Sequence, residues 1–233
     1  MNRGFVTTSL DRSRVALVVP ALNEASTISS VVAAAQQYGQ IIVVDDASTD
    51  GTGKIANQAG ALVIRNRINL QYEGALEVGL RTALTQDYDY VVTVDADGQH
   101  DPSDIPKVIA ALHEGADLVI GIRPEPARIA ERWFGFVGRR LWGIEDPLCG
   151  LKGYRLSWLR RYTIFDTYRS IGTELSIRMI QDGARFHQLP ISILGRRQQP
   201  RFGGRLKANW RIAQAMVTSV RIFAKRRRLA PPN

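Results

Sequence analysis

Val91-Val92-Thr93-Val94-Asp95-Ala96-Asp97-Gly98-Gln99-His100-Asp101-Pro102 is a run of mostly β-branched residues that stops in a cluster of carboxylates. An apolar run of this kind suits a parallel strand covered on both faces, and open α/β sheets bind ligands beyond the carboxyl ends of such strands. Asp95 and Asp97 alternate along the chain, so they leave the strand end close together and at different angles. Two hard oxygen donors that near each other repel unless a cation sits between them, and Mg²⁺ or Mn²⁺ completes its shell with water and phosphate oxygens. The stretch therefore reads as a buried strand ending in a metal site, to be completed by a phosphorylated ligand. A bare D-x-D often only shapes a turn, and Asp101 is assigned to that blander role, as the cap of the helix begun by Pro102. What favours the metal for Asp95 and Asp97 is the company they keep elsewhere.

Upstream the same pattern repeats. Residues 15–19 form a strand ended by Pro20, and the polar turn Asn23-Glu24-Ala25-Ser26 follows, with Ser26 placed to cap a helix over 27–38. A second strand at 41–44 runs into Asp45-Asp46-Ala47-Ser48-Thr49-Asp50-Gly51-Thr52. A short helix through Ile55, a third strand at 61–64 and a helix over 73–85 lead back to the opening stretch. Strand and helix thus alternate four times, which predicts an α/β fold with a mostly parallel sheet flanked by helices. Parallel order places the strand ends on one rim, so Glu24, Asp46, Asp95 and Asp97 converge there. Packing does not account for four acids in one place, although Asp45 and Asp46 also suit turn or cap positions.

Downstream, a helix over 102–114 and a strand at 118–122 lead to Arg123, then to an amphipathic stretch over 127–142 and to Asp146-Pro147-Leu148-Cys149-Gly150-Leu151-Lys152-Gly153-Tyr154-Arg155. Gly172-Thr173-Glu174 opens another helix, with Thr173 as a plausible cap, and Glu174 also suits a first turn simply by favouring the helix dipole. A strand over 185–194 is broken by Pro190, a Gly-rich basic loop runs through 195–207, and a closing helix spans 208–224. The organisation expected is a loose leader at 1–13, one catalytic domain at 14–207, and a basic C-terminal helix and tail at 208–233.

The charge is uneven. Of a formal net charge of +9, the segment after Asp182 holds twelve Lys and Arg and no acid, so residues 1–182 carry about −3. A basic end of this kind invites an anionic partner: a nucleic acid, a membrane surface or the phosphates of a substrate. Nucleic acid is not expected, because aromatic residues for stacking are sparse there, with Phe202, Trp210 and Phe223 alone beyond Gly195. A single cysteine, Cys149, excludes an internal disulfide and suits a reducing compartment. No apolar run approaches the roughly 18 to 20 residues of a membrane span, and 1–13 lacks the apolar core of a signal peptide. The expected location is cytoplasmic, peripheral on the inner face of the cell membrane at most.

These motifs resemble those of the inverting nucleotide-sugar glycosyltransferases of family two, which have the GT-A fold, and particularly the dolichol- or polyprenyl-phosphate mannosyltransferase branch. VVPALNEASTI is similar to that family's first strand and P-x-x-N-E turn, IIVVDDASTDGT to its V-D-D-x-S-x-D-x-T turn, and VDADGQHDP to its D-A-D-x-Q-H-x-P motif. DPLCGLKGYR resembles its D-x-x-x-G-x-x-x-x-R segment, GTELSIRMI its Glu-bearing helix, and Arg201, Gly204 and Lys207 keep the spacing of its closing loop. The resemblance implies that Pro20, Leu22, Glu24, Val44 and Asp46 hold the base and ribose of the donor. It implies that Asp95, Ala96, Asp97 and Gln99 hold the divalent metal (Mg²⁺ or Mn²⁺) and the sugar diphosphate. Arg123, Arg201 and Lys207 would neutralise donor and acceptor phosphates, a role forked guanidinium groups suit. The sequence departs from the pattern at Leu22, where the family has tyrosine, at 69–74, which lacks a G-x-G, and at Leu206, which replaces a serine.

The function implied is metal-dependent transfer of a sugar from a nucleotide-diphosphate donor, with Asp97, Glu174 and Arg123 as the catalytic candidates. A lipid-linked phosphate is the first choice of acceptor, because a phosphate oxygen is already anionic and needs no general base. Relatives that act on hydroxyls usually carry an Asp after the Thr-Glu pair, whereas Leu175 stands here, so a hydroxyl acceptor would rely on Glu174 alone. A sugar-phosphate nucleotidyltransferase would share the sheet and the acids but should show G-x-G-x-R after the first strand, where this chain has PALNEAS.

Overall fold

The computed structural model describes residues 14–124, 129–165, 170–195, 216–218 and 220–221. One seven-stranded sheet organises them, in the order β3-β2-β1-β4-β6-β5-β7. The strands are β1 (Val15–Ala21), β2 (Gln40–Asp45), β3 (Leu62–Arg65), β4 (Tyr90–Thr93), β5 (Leu118–Ile122), β6 (Lys152–Arg155) and β7 (Phe186–Pro190). The helices are α1 (Ile28–Ala35), α2 (Thr52–Gln58), α3 (Gln71–Leu84), α4 (Ile105–His113), α5 (Ile129–Trp142), α6 (Leu156–Leu159) and α7 (Ile171–Gln181).

The sheet is parallel from β3 through β4 and between β5 and β7, while β6 runs antiparallel between β4 and β5. Strand β1 is buried along its whole length, as expected of a strand covered on both faces. Its side chains alternate: Val15, Leu17 and Val19 join a core with Ile28 and Val32 of α1 and Val108 and Leu112 of α4. Ala16 and Val18 face the opposite core, with Leu76 and Leu80 of α3, Phe134 of α5 and Leu175 of α7. Helix α3 can lie close on β1 because Gly79 has no side chain; a Cβ there would sit 2.3 Å from Val18 Cγ1.

Several expectations are corrected. Pro20 does not end β1, which continues to Ala21. The pairing with β4 stops at Val18, whose carbonyl accepts the last bond from Val94 N–H, so the strand has diverged before the donor that Pro20 lacks would be needed. The cap of α1 is Thr27 rather than Ser26, and that of α7 is Ser170 rather than Thr173. Thr173 lies inside the helix and donates to Pro147 O at 3.0 Å. The segment 152–155 was not expected to be a strand, yet β6 lies inside the sheet between β4 and β5. Its Lys-Gly-Tyr-Arg composition hides the period, since Lys152 and Gly153 are both buried.

Asp101 does cap the turn of 3₁₀ helix at Pro102–Asp104, its Oδ1 accepting from Ser103 N–H at 2.9 Å. Of the closing helix only five residues are described. Met216 and Val220 among them pack against the α3, α5 and α7 core. The leader at 1–13 and the basic loop, with Arg201 and Lys207, lie outside the described residues.

Candidate active site

The carboxyl ends of β1, β2 and β4 meet on one edge, and the loops leaving them are tied to each other. Asn23 takes the left-handed conformation (φ 51°), its N–H donates to Ser48 Oγ and its Oδ1 accepts from Thr49 N–H at 2.8 Å. Glu24 N–H donates to Thr52 Oγ1 at 2.7 Å, and Ala25 N–H to Asp50 Oδ2 at 3.0 Å. Ala47, in the loop after β2, and Gln71, the first residue of α3, are left-handed as well, at φ 61° and 69°. Such a conformation costs a non-glycine residue about 1 kcal/mol and persists where the surroundings over-determine it, often at functional sites. Asn23 and Ala47 stand in loops of this rim and Gln71 where α3 begins.

Asp45 and Asp46 are both buried but do different work. Asp45 pairs with Arg65 across β3 at 2.5 Å and accepts from Ser48 N–H at 2.9 Å, so it fixes the turn. Asp46 Oδ1 accepts from Asn66 Nδ2 and from Leu70 N–H, both at 2.8 Å, and so sets the loop that stands in place of a G-x-G. Pro20, Glu24 and Val44 are buried beside these groups, and Leu22 is half-buried.

Asp95 lies beyond the end of β4, where the chain turns. Its Oδ1 accepts from Tyr72 Oη at 3.0 Å. Asp95 N–H donates to His100 Nδ1 at 3.3 Å, which leaves the ring proton on Nε2, 3.6 Å from Asp95 Oδ2. Asp97 Oδ1 accepts from Gln99 N–H at 3.1 Å, an Asx turn that orients the carboxylate. Ala96 is buried between the two acids. Gln99 is half-buried, and its carbonyl receives Leu194 N–H at 2.8 Å. Asp95 and Asp97 both line a cavity of about 400 Å³ with Thr27, the cap of α1, Ser30, Gly98 and His100, and with apolar groups such as Val31, Val94 and Ile105.

Against Asp95 lies the loop that enters β6. A Cβ on Gly150 would meet Asp95 Oδ2 at 2.2 Å, so only glycine lets the loop approach. Thr93 Oγ1 donates to Gly150 O at 2.6 Å and accepts from Lys152 N–H, and the buried Lys152 ammonium donates to Pro147 O and Cys149 O. Burial pulls that ammonium below the ordinary lysine value and pushes the Cys149 thiol up to about 12. At the head of the loop, Asp146 receives two hydrogen bonds from the Arg123 fork, at 2.7 and 2.8 Å, and one from Arg123 N–H. Glu131 of α5 stands 3.4 Å from the same guanidinium. Arg123 is thus held by two carboxylates. Glu174, in the first turn of α7, is 1% exposed and ion-paired with Arg178.

Among the described residues no three His, Cys, Asp or Glu side chains form a group that could hold a metal ion by themselves. Two carboxylates two residues apart beyond one strand end do suit a hard divalent cation that also takes water and phosphate ligands. Tyr72, Thr93 and Lys152 were not foreseen as parts of the site. Tyr72 stands in the departing segment 69–74, and no local pattern marks it; for Thr93 and Lys152 the missing signal was the unexpected pairing of β6 with β4.

The family model described as glycosyl transferase family 2 matches residues 16–162. The chain is 30% identical over 207 residues to an undecaprenyl-phosphate mannosyltransferase of Micrococcus luteus, covering 78% of this chain and 84% of that protein. It is 31% identical over 176 residues to a UDP-N-acetylglucosamine–dolichyl-phosphate N-acetylglucosaminyltransferase of Methanococcus voltae, covering 62% and 70%. The fold is similar to that of glucosyl-3-phosphoglycerate synthase from Mycobacterium tuberculosis, solved with Mn²⁺, uridine diphosphate and phosphoglyceric acid. The TM-score is 0.74 at 22% identity, over 91% of this chain and 78% of that one.

Proposed function

The chain belongs to glycosyltransferase family 2, and from that premise we propose that it moves a sugar, with inversion, from a nucleoside-diphosphate donor to a polyprenyl phosphate. The observation that carries this reading is the placement of Asp95 and Asp97 at the end of β4, with the Gly150 loop pressed against the first. Pro20, Leu22, Glu24, Val44 and Asp46 would receive the base and ribose along the tied rim. Asp95 and Asp97, with Ala96 and Gln99 between and after them, would hold a divalent cation and the diphosphate. That cation supplies charge neutralisation on the departing diphosphate. Arg201 and Lys207 would meet phosphates from the basic loop. Arg123 would act chiefly by holding Asp146, and with it the loop that ends at Gly150.

The acceptor follows from chemistry and from relatives. Two relatives with different sugars in their names share a lipid phosphate acceptor. A phosphate oxygen needs no general base, and the Glu174 carboxylate is buried against Arg178, which suits a structural pair better than proton abstraction. A lipid acceptor is met at a bilayer, and the basic run at 225–228 would favour an anionic surface. Among the described residues no helix is long and apolar enough to cross a membrane.

The test is a panel of nucleoside-diphosphate sugars with Mn²⁺, offered polyprenyl phosphate or a free saccharide. Nucleoside diphosphate should be released only with metal and polyprenyl phosphate together, and Asp97→Ala should lower the rate by at least about 10²-fold. Release that depends on a saccharide hydroxyl instead would overturn the acceptor.

A further inference from the structure

The outer face of α5 is not explained by catalysis or by the core. Its inner positions Phe134, Gly138 and Trp142 recur every fourth residue and are buried. Gly135 and Gly138 bring the helix so close to the segment leading into the Gly150 loop that a Cβ on either would lie 2.7 Å from the carbonyl of Glu145 or Ile144. On the opposite side Ile129, Trp133 and Phe136, at i, i+4 and i+7, are 73%, 60% and 63% exposed. The two rings contact each other edge to face, with centroids 6.0 Å apart. Arg132, Arg139 and Arg140 are exposed around this stripe.

We propose that this face of α5 docks on the surface of an anionic bilayer. A helix that sets Trp, Phe and Ile among arginines has the chemistry of one lying in the headgroup plane, with apolar side chains reaching the acyl boundary and guanidinium groups on lipid phosphates. A second copy of the chain is disfavoured by charge. A two-fold contact through this stripe would bring each arginine cluster against its own equivalent, whereas an anionic surface complements it. Docking here would hold the bilayer beside Arg123, Asp146 and the Gly150 loop, where a membrane-borne phosphate would have to arrive. The inference rests on the lipid-acceptor reading for its purpose, and on the face itself for its geometry.

The test is co-sedimentation of the full chain with vesicles of phosphatidylcholine, alone or mixed with phosphatidylglycerol. The wild type should bind the anionic vesicles and release as salt rises and the Debye length shrinks. Trp133→Ser/Phe136→Ser should weaken binding by at least about tenfold, with an unchanged melting temperature because both side chains are exposed. Cys149 is the single cysteine and is buried. A polarity-sensitive dye on Phe136→Cys therefore reports that position, and its emission should shift to the blue on anionic vesicles. Vesicle binding that survives the double substitution, a silent dye, or no wild-type binding at low salt would each overturn the proposal. So would a dimer that the double substitution splits while vesicle binding stays intact. Transfer to a short, water-soluble prenyl phosphate without vesicles should be equal in wild type and double variant. Absence of that transfer, with vesicle binding as expected, would sink the acceptor reading and leave the docking face standing.

Discussion

Gly150 leaves no room for a side chain because the Asp95 carboxylate fills the space, with a built Cβ 2.2 Å from Oδ2 and 2.6 Å from Cγ. Gly150→Ala should therefore displace the carboxylate rather than the fold, since the side chain of Asp95 can turn while β4 and β6 stay paired. The expected result is at least about a 10²-fold loss in kcat, the scale of one lost preorganised electrostatic contact. The melting temperature should change little. A Gly150→Ala variant of normal rate would show that Asp95 need not sit where it does.

Nucleotide and metal should bind as one unit. On the proposed reading Asp95 and Asp97 would offer a cation only part of its shell, and a diphosphate would need the cation to meet two carboxylates. In a thermal-shift assay, uridine or guanosine diphosphate with Mn²⁺ should stabilise the protein more than the separate effects added together. A ligand at about 100 times its Kd contributes roughly 2.7 kcal/mol. Asp95→Asn should remove the joint effect, and a nucleotide shift that is indifferent to chelator would contradict the arrangement.

The parallel half of the fold was legible because each of its strands is a continuous apolar run that ends in polar residues. The antiparallel strand was not, because Lys152 and Gly153 look like loop residues until β4 supplies Thr93 as partner. The acids were legible by type and spacing; their partners were not. Nothing near Arg123 in sequence announces Asp146, 23 residues on, and Glu174 shows its companion Arg178 only through helical spacing. Ser26 and Thr173 were misplaced as caps for a related reason, since a hydroxyl before a helix does not say which turn it will join.

The Arg123–Asp146 pair carries a pH signature. Burial pushes the Asp146 carboxyl up, but the Arg123 hydrogen bonds and charge outweigh it and hold the group below its ordinary value. A carboxyl depressed in the folded state contributes stability above its unfolded value, about 3.9, and that contribution is lost as pH falls toward the folded one. Arg123→Met removes the guanidinium and leaves the backbone N–H of residue 123 and the Lys152 charge to oppose burial, so the variant should lose about 3 kcal/mol at pH 7. The deficit should shrink on approach to pH about 4, because the Asp146 of the variant, without its guanidinium, takes up a proton before the paired Asp146 of the wild type does. Urea denaturation at both pH values checks this, and an equal deficit at each would mean that the pair is not the source.

Glu174 separates a structural carboxylate from a base. Buried and paired with Arg178, it should lose its stabilising role on Glu174→Gln, lowering stability by about 3 kcal/mol because the charge of the buried carboxylate opposite the Arg178 guanidinium is removed. The rate per folded molecule should fall less than about tenfold, since a phosphate acceptor has no proton to give up. Adding Arg178→Met should recover part of the stability, because the two substitutions act on one interaction and their effects do not add. A base would behave otherwise. Glu174→Gln would then cost about 10³-fold in kcat with folding intact, the acidic limb of the pH–rate profile would vanish, and Arg178→Met would restore nothing. Stopped assays over pH 5 to about 9, run beside melting curves for the same three variants, distinguish the outcomes, and the second pattern would transfer the assignment to a hydroxyl acceptor.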